Sequence, residues 1–282
     1  MTTTGGTPHD VGARRRPSAE PRRRPPAFVL VPAGFGLAFL MLPAIGLLVR
    51  APWRTLPHQL TSAVVLDALR LSLICATSAT ACCLVVGVPL AWLLARADIR
   101  GRSILRALVL VPLVLPPVVG GVALLTAFGR NGFVGKWLDR AFGLSLPFTT
   151  AAVVVAEAFV ALPFLVIAVE GALRAADDRY DEAAATLGAS RWYTFRRVTL
   201  PLIAPGIAAG AVLAWSRALG EFGATITFAG SFPNRTQTMP IAVYLALQQT
   251  DPDAAIVLSL VLLAVSVVTL AGLRERWISA PR

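Results

Sequence analysis

The sequence predicts an all-α membrane protein with six transmembrane helices, and three observations lead there. Of the 282 residues, 56% are hydrophobic and only 15% are charged, with a mean hydropathy of +0.70. A soluble domain carries about 25% charged residues. The apolar residues come in runs of roughly 20, the length needed to cross a bilayer. Those runs lack the alternating pattern of a membrane β-barrel. Backbone groups in lipid must be satisfied within their own segment, so the runs are expected to be helices.

The six expected spans are Ala27–Val49, Leu66–Ala95, Ile104–Phe128, Thr150–Leu173, Leu202–Gly223 and Ala254–Leu273. The first follows an Arg-rich stretch, is long enough to span and has no small-residue cleavage site, so it does not read as a secretory signal. The second contains all three cysteines, Cys75, Cys82 and Cys83. An odd number without metal-ligand spacing reads as small packing residues rather than as disulfides. The third carries Pro112 and Pro116-Pro117 and the fourth carries Pro163. Each proline removes a ladder hydrogen bond and bends the rod. The fifth starts just after Pro201, and the sixth closes the bundle. No internal repeat is evident, which argues against folds built from inverted halves.

Charge sets the expected orientation. The net charge is +11, from 25 arginines, Lys136 and 15 acids. Such an excess can mark a nucleic-acid partner, but here it falls in the gaps between apolar runs. With the N-terminus inside, the inner segments hold 18 of the basic residues and the outer gaps hold six. Both termini are therefore expected to be cytoplasmic, with no nucleic acid involved. Residues 1–26, with Arg14-Arg15-Arg16 and Arg22-Arg23-Arg24 among Pro, Ser and Gly, read as a disordered cytoplasmic tail. Residues 27–282 then form the membrane domain.

The most patterned stretch is the cytoplasmic loop 174–201. Asp177, Asp178, Asp181 and Glu182 crowd the start of a helix, where negative charge suits the dipole. Ala183-Ala184-Ala185 continue it with little bulk, and Gly188 is placed to end it in a left-handed cap. Ser190 can cap a second short helix through Trp192, Tyr193 and Phe195. The residues leave two roles open: a docking surface for another chain, or an amphipathic hairpin on the membrane or on its own bundle.

The loop resembles a known family. Glu182-Ala183-Ala184, three residues, Gly188, nine residues and Val198-Thr199-Leu200-Pro201 are similar to the EAA loop of bacterial ABC importer permeases, with Val198 where Ile is usual. Arg217 to Thr225 (RALGEFGAT), Ala229-Gly230 and Gln237 to Tyr244 (QTMPIAVY) are similar to the molybdate branch, and somewhat less to the sulfate branch. The resemblance covers roughly residues 60–273. It implies a type I importer permease fold in the bacterial cytoplasmic membrane. It also implies a homodimer in contact with lipid, two ATP-binding subunits that hold ATP and Mg, and an external substrate-binding protein. Glu182, Ala183, Ala184 and Gly188 would lie at the ATPase contact. The cargo implied is molybdate or tungstate, with sulfate or thiosulfate as the alternative.

The chain itself carries no phosphate-binding loop, so no ATP-hydrolysing activity and no cofactor are expected in it. Its one Gly-Lys pair, Gly135-Lys136, has Arg130 in place of the first glycine and Trp137 in place of the hydroxyl residue. The two histidines, His9 and His58, lie far from each other and from any cysteine, leaving no metal or catalytic constellation.

Charges inside the spans cost a few kcal/mol each unless paired or wet. Arg217 would sit about 22 Å along a path of about 30 Å, with Glu221 one turn further and Glu157 near the same level. Arg217 is expected to pair with Glu221 or Glu157 near the outer mouth. That pair is either a static tie between helices or a gate on the translocation pathway. A proton-coupled secondary transporter using Glu157, Arg217 and Glu221 as a relay is the more distant alternative.

Overall fold

The computed structural model describes residues 27–177 and 179–278. The expected tail 1–26 and Asp178 of the loop lie outside the described residues. Among the described residues every regular element is helical.

Two units are distinguished, divided after Gly46. The first helix, α1 (Ala27–Arg50), has 24 residues and is apolar around its whole circumference. None of its described side chains is buried in the isolated chain. Its length of about 36 Å is enough to cross a membrane.

The second unit begins with a short turn of helix, α2 (Leu56–Leu60), followed by α3 (Ala63–Arg96). The Ser62 hydroxyl caps α3 by accepting from the Val65 N–H at 3.4 Å. Next come α4 (Arg102–Val114), α5 (Pro117–Phe128), the amphipathic α6 (Phe133–Phe142) and α7 (Thr150–Ala175). Then come α8 (Arg179–Thr186), α9 (Arg191–Thr194), a π turn (Phe195–Thr199) and α10 (Leu200–Leu219). Last are α11 (Gly223–Ala229), α12 (Met239–Gln248) and α13 (Pro252–Ile278).

The main core lies between α3, α7 and α10. It is built from Ala76, Ala79, Cys83 and Leu94, from Leu165, Val169 and Leu173, and from Ile203, Ala214 and Ala218. Alanine and cysteine make up half of it, because helices in lipid gain association energy from close van der Waals approach rather than from expelling water. On α10 four small residues, Gly206, Gly210, Ala214 and Ala218, fall every four positions and so share one face. At Gly206 a Cβ would sit 2.3 Å from the Ala172 Cβ on α7. Gly206→Leu is therefore expected to lower stability in detergent by about 1–3 kcal/mol, the usual range for overpacking. Thermal unfolding checks this, and Ala172→Gly in the same chain should recover part of the loss.

Cys75 and Cys83 are buried as free thiols in these helix contacts and Cys82 is an exposed free thiol, so none of the three is in a disulfide.

Two expected spans differ from what forms. Ile104–Phe128 is not one rod but the pair α4 and α5, turned by 115°. Among the described residues five helices are individually long and apolar enough to cross a membrane, and six spans result when the bent pair counts as one. The tandem prolines do more than kink the helix. Leu115, preceding a proline, takes the extended conformation with ψ of 132°, and Pro116 does likewise at 134°. Two consecutive residues without N–H groups then end one helix and start another.

The fifth span starts earlier and ends earlier than Leu202–Gly223. It runs from Arg191 through the π turn to Leu219 without a break. Pro201 does not mark a boundary. Just before it, the Leu200 N–H reaches back five residues to the Phe195 carbonyl, widening the helix where the proline ring crowds the preceding turn. At the other end the helix stops at Gly220, and Gly223 opens α11 instead of closing α10.

Candidate functional site

The loop between α7 and α10 folds as a helix–glycine–helix element. Gly188 has φ of +79°. Its N–H donates to the Ala185 carbonyl at 3.0 Å, and the Ala189 N–H donates to the Ala184 carbonyl at 3.0 Å. These two bonds are a Schellman cap, which satisfies the last carbonyls of α8. Ser190 then caps α9, accepting from the Tyr193 N–H at 3.3 Å.

Of the expected loop residues, Glu182, Ala183 and Gly188 are exposed and Ala184 is half-buried. Ala184 and Gly188 line a shallow depression of about 520 Å³ together with Leu187, Ala189, Ser190, Tyr193 and Val198. Glu182 and Ala183 lie outside that depression. Leu187 is 87% exposed, an apolar side chain at the tip of a polar loop. Sequence reasoning passed over it, although an apolar residue just before a capping glycine is a readable signal. Trp192 is exposed and stacks on Phe195 with ring centroids 6.0 Å apart, so the aromatic side of the element is preformed.

The element is moored to the bundle. The Thr199 hydroxyl, buried in the π turn, donates to the Asp181 carboxylate of α8 at 2.9 Å. At the end of α7, the Glu170 carboxylate accepts from Arg174 at 2.8 and 3.1 Å and from Arg106 of α4. Arg96 of α3 donates to the Ala176 carbonyl at 3.4 Å. Glu170 is an acid inside the apolar run Thr150–Leu173, and that placement was the signal available for it.

The second constellation lies where α10 stops. Arg217 pairs with Glu221 at 2.5 Å. The Glu221 side chain is 1% exposed, and its other oxygen accepts from the Ala224 N–H at 2.9 Å, capping α11. Glu221 is thus not one turn further along the same helix, as expected, but in the break between two helices that it joins. Glu157 on α7 is equally buried and is an electrostatic neighbour of Glu221. Its Oε2 has no hydrogen-bond partner, and among the described residues it makes no ion pair with Arg217. Of the two pairings anticipated for Arg217, the one with Glu221 forms.

Arg217 also faces a cavity of about 140 Å³. Its walls are Pro112, Leu113 and Leu115 at the end of α4, Pro117 and Gly120 on α5, and Phe159, Val160 and Phe164 on α7. The α4–α5 break therefore opens beside the half-buried cation. On the far side of the break, α5 and α11 meet backbone to backbone. A Cβ at Gly121 would lie 2.8 Å from the Ala224 carbonyl, and one at Gly223 would lie 2.7 Å from the Pro117 Cβ. An apolar cavity holding one cation can attract an anion while excluding bulk water.

Residues 87–280 match the family described as the inner membrane component of binding-protein-dependent transport systems. The chain belongs to that family. It is a multi-pass membrane protein and a transporter component. Similar to it is the molybdenum transport system permease protein ModB of Mycobacterium tuberculosis, 49% identical, the match covering 89% of this chain and 94% of that one. The sulfate transport system permease protein CysT of Escherichia coli is 37% identical over 88% of this chain and 92% of its own. Among solved structures, a bacterial ABC transporter that imports alginate matches with a TM-score of 0.68 at 20% identity, covering 90% of this chain and 95% of that one. The fold is that of a type I ABC importer permease.

Proposed function

We propose that the chain is the membrane-spanning subunit of an ATP-driven importer that carries molybdate inward across the cytoplasmic membrane. The observation that carries this reading is the near end-to-end match to molybdenum permeases, with the sulfate permease more distant. Two copies surround one path, each turning its loop 174–201 toward an ATP-binding subunit. An external binding protein delivers the anion at the opposite face. Both termini are cytoplasmic, in keeping with the arginines gathered at the loop-bearing end of the bundle.

In this arrangement Glu182, Ala183, Ala184 and Gly188 contact the ATPase subunit, and the depression beside Gly188 receives part of it. Closure of the two ATPase subunits on ATP pulls the loops together and opens the outer mouth. Product release returns the path to its other state. Arg217, Glu221 and Glu157 stand on the path, with the Arg217–Glu221 pair as its gate. A tetrahedral dianion entering the cavity competes with Glu221 for the guanidinium, which couples cargo to the break between α10 and α11. ATP and Mg belong to the partner subunits.

Labelled molybdate uptake, with and without this gene and with excess sulfate as competitor, tests the reading. Uptake should vanish in the deletion and be indifferent to sulfate. Uptake that survives the deletion, or that sulfate suppresses, removes molybdate as the cargo.

A further inference from the structure

We infer that Glu170 is a positioning residue for transport: it ties α4 to the loop-bearing end of α7, so that motion of the loop tilts α4 about the Leu115–Pro116 break. The inference rests on the reading that loop 174–201 takes its motion from an ATPase subunit.

The argument starts with how differently the two halves of the bent pair are held. In the isolated chain α4 has no buried residue, and it leans on the main core only through Leu105 and Val109. By contrast, α5 buries Gly120, Gly121 and Leu124 and is locked against α11. Between them lie two residues in extended conformation and a turn of 115°. A stiff, lightly packed helix beside a fixed one is the geometry of an arm on a hinge.

The far end of that arm is held by two polar contacts: Arg102 donates to the Ala95 carbonyl of α3 at 2.9 Å, and Arg106 reaches across to α7. Arg106 stands in the second turn of α4, and its guanidinium meets the Glu170 carboxylate, which is 11% exposed. Arg174 meets the same oxygen from one turn along α7. Two guanidinium groups on one carboxylate oxygen fix its direction toward α4. Only three residues separate the end of α7 from the start of α8. A displacement of α8 therefore reaches Arg174, Glu170 and Arg106 within a short span. The bond from Thr199 to Asp181 keeps the base of α10 attached to the same helix.

The consequence lies at the other end of α4. Pro112, Leu113 and Leu115 are walls of the cavity that Arg217 faces. Tilting α4 while α5 stays in place changes those walls and leaves the rest. The loop thus acts on the cavity through Glu170, without any contact between loop and cavity.

The test uses the full complex, with ATPase subunits and binding protein, in proteoliposomes, and reads molybdate transported per ATP hydrolysed. Arg106→Gln removes the tie but keeps Glu170 paired with Arg174. ATP hydrolysis should persist while transport per ATP falls about tenfold, a coupling loss of ordinary size. Arg106→Lys keeps the charge and should retain the parent ratio. Reversing every charge of the cluster, with Arg106→Glu, Glu170→Arg and Arg174→Glu together, should restore it, which a loss of folding would not allow. An unchanged ratio in Arg106→Gln overturns the inference. So does a charge-reversed variant that unfolds at the parent's temperature yet stays uncoupled. A parent complex that hydrolyses ATP but moves no molybdate overturns the functional reading, and the role of Glu170 with it; a coupled parent with an unaffected Arg106→Gln overturns the role of Glu170 alone.

Discussion

Glu221→Ala is expected to cause the largest loss of stability of any single change at the gate. The substitution leaves Arg217, 28% exposed, beside an apolar cavity without its counter-charge. Breaking a fully buried pair from one side costs about 3–5 kcal/mol, and the partial exposure of Arg217 brings the cost below that range. It also removes the acceptor for the Ala224 N–H, a helix cap worth about 1 kcal/mol. Glu221→Gln separates the two effects. The amide oxygen can still accept from Ala224 while the charge is gone, so this variant should fold better than the alanine one. Removing both charges, with Arg217→Ala and Glu221→Ala together, should recover part of the stability, because no lone charge remains. Thermal unfolding in detergent reads all three, and a double variant no better than Glu221→Ala sinks the account. Uptake then separates a gate from a static tie. Arg217→Ala that assembles normally and transports nothing is a gate, and unchanged uptake makes the pair a tie.

The second large effect is expected from Gly188→Val, and it falls on function rather than on the bundle. A β-branched residue at φ of +79° is strained by about 1–2 kcal/mol, although nothing within 4 Å would clash with its Cβ. The strain is relieved by moving α8 relative to α9, which destroys the depression lined by Ala184, Leu187 and Gly188. The helices of the main core are untouched, so the unfolding temperature should stay near that of the parent. Uptake and co-purification with the ATPase subunit should fall about tenfold or more, corresponding to loss of at least about 1.4 kcal/mol of contact. Gly188→Asn should keep more activity, because asparagine tolerates the left-handed region. A valine variant with parental uptake would remove this loop from the coupling route.

What could be read from the sequence was whatever is encoded locally. The spans follow from runs of apolar residues, and the loop's cap follows from Gly188 and Ser190, whose roles depend on neighbours a few positions away. The π turn before Pro201 was hidden, since a proline announces a disturbance but not whether the helix ends or widens. The stop at Leu219 was hidden for a different reason. Gly220 alone is tolerated in a helix, and it is the capping of Ala224 by Glu221 that stabilises the break. Arg106 and Glu170 are 64 positions apart, so their contact is a product of packing. Each residue was visible as a charge near a membrane edge, but the pair was not.

The small-residue core has a consequence for how the chain is made. Its three walls are α3, α7 and α10, and about 120 residues separate the end of α3 from the end of α10. At roughly 5–20 residues per second, α3 waits about 6–25 s after its own synthesis before the last wall exists. Until α7 arrives, about 80 residues after the end of α3, the packing face of α3, Ala76, Ala79 and Cys83, is turned to lipid or to the insertion machinery. Alanine and cysteine tolerate that exposure, where a polar core would have to be shielded. A composition suited to tight packing in the finished subunit is therefore also one that lets an unfinished helix wait safely on the ribosome's schedule.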